Sequence, residues 1–173
     1  AIESNWVALQ AFVDKIEARF PHIIWLGTGG SALGPQLIAR ALRFQPGARR
    51  FDFIDNCDPA TYERILGQAD FSEVLFVIAS KSGQTPETLN ALALVEAECQ
   101  RRSVSLAERI VAITAPGSPL EERASQEGWL AVFPIWDWVG GRTSIFSSVG
   151  LLSLMLLHGH RDAFLEGARP FDP

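Results

Sequence analysis

The sequence predicts an α/β fold, a three-layer αβα sandwich around a five-stranded parallel sheet. Three observations carry the prediction. Short apolar runs alternate with segments of helical periodicity, the pattern of βαβ units. One of these runs, Val74–Ala79 (VLFVIA), is apolar throughout, as a parallel strand buried on both faces must be. Turn residues punctuate the chain where strands hand over to helices, and no internal repeat or low-complexity segment interrupts the alternation.

Taken in order, Asn5–Phe20 places Val7, Leu9, Phe12, Val13 and Ile16 at helical spacing, an amphipathic lead-in helix. His22–Leu26 ends in glycines and predicts the first strand. Ser31–Arg43 follows as a helix and Phe51–Asp55 as the second strand. Asp58 before Pro59 is an N-cap with proline at the first helical position, opening a helix to Leu66. Val74–Ala79 is strand three, Pro86–Arg102 a helix, Arg109–Thr114 strand four and Pro119–Glu127 a helix. Trp129–Phe133 is the fifth strand. After the Gly140–Gly141 turn, an apolar helix is expected over Ser144–Leu157 and a short one over Arg161–Ala168.

Size and charge limit the function. A chain of 173 residues suffices for one compact domain and leaves little room for a second. We divide it into the lead-in helix, 1–20, and an α/β domain, 21–173. A net charge of −5 argues against nucleic acid as a partner, although a local nest of backbone N–H groups still binds a small anion. No apolar run approaches the roughly 20 residues of a membrane span. Cys57 and Cys99 are the two cysteines, at no ligand-like spacing, and read as reduced thiols of a cytoplasmic protein. We find no signal peptide. The chain begins at Ala1 without a Met, so a trimmed or replaced natural start is expected.

Three motifs carry chemistry, and all fall at the carboxyl ends of predicted strands, where open α/β sheets bind ligands. The first is LGTGGSALG, Leu26–Gly34. Its glycines let backbone approach a ligand, the following helix offers free N–H groups to an anion, and Ser31 adds a hydroxyl. A plain βα turn is the bland alternative. A dinucleotide site is the rival, because Gly27, Gly29 and Ala32 satisfy a GxGxxA pattern with Asp55 as the ribose acid, at a spacing somewhat longer than usual.

The second motif, SKSGQTPET (Ser80–Thr88), follows strand three. Ser80, Ser82, Thr85 and Thr88 give four hydroxyls around Gly83 and a helix start, a cradle for phosphate oxygens. Glu87 falls in the first helical turn, where an acid is favoured. Lys81 either lends charge to the phosphate or is a solvated surface lysine. A dinucleotide enzyme has no need of this second cradle. The third motif, WDWVGGRTSIFSSVG (Trp136–Gly150), presents Arg142 on a glycine turn before a helix capped by Thr143 or Ser144. Its fixed cation suits negative charge developing on oxygen; a loop-pinning salt bridge to Asp137 is the alternative.

These three stretches, in this order and at these separations, resemble the signatures of the phosphoglucose isomerase family from about Ile23 to Pro173, with VGGR the most diagnostic piece. Thr143 stands where the family has an aromatic. The resemblance implies the first of two sugar isomerase (SIS) domains, a flavodoxin-like fold. It implies that Gly30 and Ser31 touch the substrate, that Ser80, Lys81, Ser82, Gln84, Thr85 and Thr88 surround a 6-phosphate, and that Arg142 stabilises a cis-enediol(ate). Glucose 6-phosphate and fructose 6-phosphate would interconvert without a metal or organic cofactor.

The same resemblance places the base Glu, a ring-opening His and a Lys in sequence beyond Pro173, with a second SIS domain and a homodimer as partners. This chain is therefore expected to bind sugar phosphate weakly and not to isomerise it. His22, His158 and His160 match no family motif and are expected at the surface or at helix ends; Glu121 and Glu122 are expected to be solvated acids. The five tryptophans are expected on a face that meets the second domain. A non-catalytic sugar-phosphate sensor and a dual phosphoglucose/phosphomannose isomerase are the competing readings.

Overall fold

A computed structural model describes residues 2–16 and 19–167. Five strands, β1 (His22–Leu26), β2 (Arg50–Ile54), β3 (Val74–Ala79), β4 (Ile110–Thr114) and β5 (Ala131–Pro134), form one parallel sheet in the order β2-β1-β3-β4-β5. Order reverses between β1 and β3, so the loops leaving these two strands diverge and open a crevice between them.

Among the described residues, seven α-helices cover the sheet: α1 (Ile2–Ile16), α2 (Gly30–Leu42), α3 (Pro59–Gln68), α4 (Pro86–Arg101), α5 (Pro119–Gln126), α6 (Ser148–Leu156) and α7 (Arg161–Glu166). Because side chains alternate along a strand, each buried strand feeds two cores. Ile23, Trp25, Leu75, Val77, Val111 and Ile113 meet α1 and α6. Ile24, Leu26, Phe76, Ile78, Ile110 and Ala112 meet α3, α4 and α5. This double burial is why β1, β3 and β4 read as unbroken apolar runs. Helix α1 is part of the first core through Leu9, Phe12, Val13 and Ile16, and its Asn5 Nδ2 donates to Ser148 Oγ at 3.0 Å.

Predicted and observed elements agree to within a residue or two at most ends. Residues 17 and 18 of the expected lead-in helix and Ala168 of the expected last helix lie outside the described residues. Two elements differ. The lead-in helix starts at Ile2 rather than Asn5, and Arg19 and Phe20 lie outside it. The expected helix Ser144–Leu157 is broken: Gly141–Phe146 is a 3-10 helix and α6 begins only at Ser148. Ser147 sits between them in extended backbone, its Oγ donating to Ser144 O at 2.7 Å and accepting from Val149 N at 3.3 Å. Ser147, rather than Thr143 or Ser144, is the N-cap, because the turn folds back on Gly150, where a Cβ would lie 1.9 Å from Ile145 O.

Two other expectations are corrected. His22 is buried, with Nε2 and Asp52 Oδ2 2.9 Å apart, because it opens β1 beside β2. His158, by contrast, is exposed just beyond α6, and His160 precedes α7 as its cap. The tryptophans are not an exposed set: Trp25 and Trp129 are buried, Trp6 and Trp136 half-buried, and Trp138 alone is exposed, stacked on Trp136 at 5.5 Å. Among the described residues, no helix is long and apolar enough to cross a membrane.

Candidate active site

The loop after β3 is built from its own hydroxyls. Ser80 is buried, and its Oγ accepts from Gly83 N at 3.2 Å and pairs with Thr85 Oγ1 at 2.9 Å. Gly83 takes φ +67, and a Cβ there would lie 2.9 Å from both Leu120 N and Leu120 Cβ, so glycine is required twice over. Ser82 Oγ accepts from Gln84 N at 3.2 Å. Thr85 caps α4 in backbone only; with Pro86 next, the first turn of the helix keeps its N–H groups for another acceptor.

Beneath the loop runs a directed chain of hydroxyls. Thr114 Oγ1 donates to Ser80 O at 2.7 Å, and a hydroxyl has one proton to give. Ser118 Oγ, 2.7 Å from Thr114 Oγ1, is therefore the donor to it, while accepting from Glu121 N at 3.2 Å. The carboxyl end of β4 and the start of α5 thus brace the cradle. Glu121 joins this end as well, its Oε2 accepting from Gly117 N at 2.6 Å, so it is more than the solvated acid expected. Glu122 is exposed.

The predicted residues separate into three groups. Ser31, Lys81, Ser82, Gln84 and Thr85 line one open cleft of about 630 Å³ with Ala115–Pro119 and Asp137. Ser80 and Thr88 lie behind it, buried. Thr88 Oγ1 has no hydrogen-bond partner among the described residues, an uncommon state for a buried hydroxyl. Gly30 and Arg142 belong to the adjoining rim. Gly30 opens α2 against the glycine turn, and Ser144 Oγ sits 2.8 Å from Gly30 O and 2.7 Å from Gly141 O. Arg142 is exposed on that turn, and among the described residues no ion pair joins it to Asp137, so the loop-pinning salt bridge is absent there.

The loop is pinned by another cation. Lys81 Nζ donates to Asp137 O at 2.6 Å and to Val139 O at 3.1 Å, so Lys81 is not a free surface lysine. The rival dinucleotide acid, Asp55, accepts instead from Gln36 Nε2 at 2.7 Å and Asn56 Nδ2 at 2.9 Å.

Asp137 and the Ala115–Pro119 loop line the cleft although no motif assigned them to a ligand. The loop was findable as the segment leaving β4, the next strand along the sheet, with Ser118–Pro119 an N-cap and first-turn pair. Asp137 carried no such signal beyond its place in the third motif. The cleft lining holds one cation, Lys81, and one carboxylate, Asp137; its other polar groups are hydroxyls, an amide and backbone. It suits an anion bound mainly by neutral donors, with hydroxyl groups nearby for the carboxylate to accept from.

The family model described as phosphoglucose isomerase matches residues 7–173. The glucose-6-phosphate isomerase of Synechococcus sp. (strain JA-3-3Ab) is 49% identical over 183 residues, covering 99% of this chain and 34% of its own length. That of Citrifermentans bemidjiense is 40% identical over 182 residues, again covering 99% and 34%. Among solved structures, a hypothetical protein from Thermus thermophilus superposes with a TM-score of 0.86 at 33% identity, covering 95% of this chain and 39% of its own. The glucose-6-phosphate isomerase from Chlamydia trachomatis gives 0.80 at 32% identity, covering 89% and 29%. The chain thus spans about a third of the length of the curated relatives it matches.

Proposed function

This chain belongs to the phosphoglucose isomerase family, and we propose that it is the sugar-phosphate-binding SIS domain of an enzyme interconverting glucose 6-phosphate and fructose 6-phosphate. The observation that carries the reading is the cleft itself: Ser31 from the β1 loop and Lys81, Ser82, Gln84 and Thr85 from the β3 loop face one space at the switch point of the sheet. In this reading the 6-phosphate sits on the Ser80–Thr88 loop and the first turn of α4. Asp137, which repels phosphate but accepts from hydroxyls, marks the sugar end. Arg142 on the adjoining turn, free of any ion pair among the described residues, meets the negative charge that develops on the enediolate oxygen.

Moving a proton between C1 and C2 also needs a base within hydrogen-bond reach. We assign that base, the ring-opening group, a second SIS domain and the homodimer to sequence outside these 173 residues, in keeping with relatives about three times as long. Exposed Leu33 and Trp138, two residues after Ser31 and next to Asp137 in the chain, support a protein surface covering this side. We include in this proposal a division into a lead-in segment, 1–20, and the SIS domain, 21–173, and a cytoplasmic location.

Calorimetric titration of the 173-residue chain with glucose 6-phosphate, glucose and NAD tests the assignment. Binding of the phosphate ester alone, with no turnover, is expected; NAD binding unaffected by sugar phosphate overturns it. In the full-length protein, Arg142→Met is expected to lower kcat on the order of 10²–10³-fold, as loss of a charge-stabilising group does.

A further inference from the structure

The lysine of the phosphate cradle reaches away from the cradle. Its backbone belongs to the loop that carries Ser80 and Thr85, whereas its Nζ ends on two carbonyl oxygens of the segment leading to Arg142, Asp137 O at 2.6 Å and Val139 O at 3.1 Å. Among the described residues these are the hydrogen bonds that join the cradle loop to the glycine turn. The turn is held from behind by different means, through Gly30 packed on Gly141 and the Ser144 hydroxyl.

An ammonium group is a point donor with three protons and no acceptor, so two carbonyls two residues apart fix both its position and theirs. Charge assistance makes such bonds stronger than neutral ones. The cost is that two of the three protons are no longer available to a phosphate. Resting on the isomerase reading, we infer that Lys81 is a positioning residue. It sets the distance from the phosphate cradle to the turn that presents Arg142, so that one substrate molecule meets both, and binding phosphate by direct contact is the smaller part of its role.

The test separates the charge of Lys81 from its donors. In a Cys57→Ser background, Lys81→Cys is alkylated with 2-bromoethylamine, which restores a primary ammonium at lysine length, or with (2-bromoethyl)trimethylammonium, which restores the charge without N–H groups. Two quantities are read on the 173-residue chain: affinity for inorganic phosphate, and the rate of cleavage after Arg142 by an arginine-specific protease. The primary ammonium is expected to match wild type in both. The quaternary form is expected to keep its phosphate affinity within about twofold while cleavage after Arg142 accelerates by about tenfold or more, the open population set by two lost charge-assisted bonds. Equal cleavage in the two forms overturns the inference, as does loss of phosphate affinity with cleavage unchanged. Lys81→Met needs no alkylation and is decided by the same two quantities: faster cleavage supports the clamp, and wild-type cleavage with weakened phosphate binding overturns it. The cleavage readout needs no sugar, so failure to bind glucose 6-phosphate sinks the isomerase reading without touching this result. In the full-length protein, the quaternary form is expected to lower kcat at unchanged KM, a split that general loosening of the fold does not produce.

Discussion

Gly30 and Gly141 are in backbone contact: a Cβ on Gly30 would lie 2.1 Å from the carbonyl oxygen of Gly141. The start of α2 and the turn before Arg142 are held this close because Gly30 has no side chain at the point of approach. The two glycines are not equivalent, since a Cβ on Gly141 meets nothing within 4 Å.

Gly30→Ala is therefore expected to cost about 1–3 kcal/mol by overpacking, lowering the melting midpoint by roughly 2–4 °C per kcal/mol. Gly141→Ala should leave it nearly unchanged. Thermal melts followed by circular dichroism check the pair, and equal effects of the two substitutions would refute the contact.

Thr88 makes a prediction of opposite signs in two assays. Its Oγ1 is buried without a partner among the described residues, and burying an unpaired hydroxyl costs about 1–3 kcal/mol. Thr88→Val keeps the shape and is expected to stabilise the ligand-free chain by about 1 kcal/mol. The same change should weaken glucose 6-phosphate binding about tenfold or more, because the hydroxyl is then missing from the cradle. Denaturant melts and calorimetry read the two quantities, and unaltered affinity would remove Thr88 from the site.

Asp52 predicts the acid limb of stability. Its hydrogen bond to His22 is the largest influence holding its carboxyl below the ordinary value of 3.8, with Arg50 adding to it; burial opposes both. Arg64 also faces it, at 3.9 Å. A carboxyl with a depressed folded-state pKa contributes stability that is fully present above 3.8 and is lost as pH falls through the lowered value. Asp52→Asn should therefore destabilise the chain at pH 7, with the difference from wild type shrinking below that value. Urea midpoints measured across the acid range give the comparison; a constant difference at every pH would show that the charge is not the cause.

The two cysteines should react unequally. Cys57 is exposed, whereas burial pushes the Cys99 thiol up to about 11. Since the thiolate is the nucleophile, iodoacetamide at pH 8 is expected to label the native chain at Cys57 alone, with Cys99 slower by at least about a hundredfold. Peptide mass spectrometry after timed quenching shows the ratio, and comparable rates would mean that the second core opens readily around Cys99.

What the sequence determined by itself is local or nearly so. Strands buried on both faces must be apolar throughout, so Val74–Ala79 and its neighbours were legible as strands from their residues alone. The hydroxyls of Ser80–Thr88 and the glycines of Leu26–Gly34 mark chemistry within a few residues, and five of the predicted residues do share one cleft. Tertiary structure decided what depends on residues far apart in the chain. Whether His22 is buried depends on Asp52, and whether Lys81 is solvated depends on carbonyls at 137 and 139. The helix expected from Ser144 is broken at Ser147 because the chain closes on Gly150 and Gly30, contacts that no periodicity records. Sequence pattern reports which residues seek burial or an anion. Only packing settles which partners each finds, because a hydrogen bond or a steric limit is a property of two groups in space.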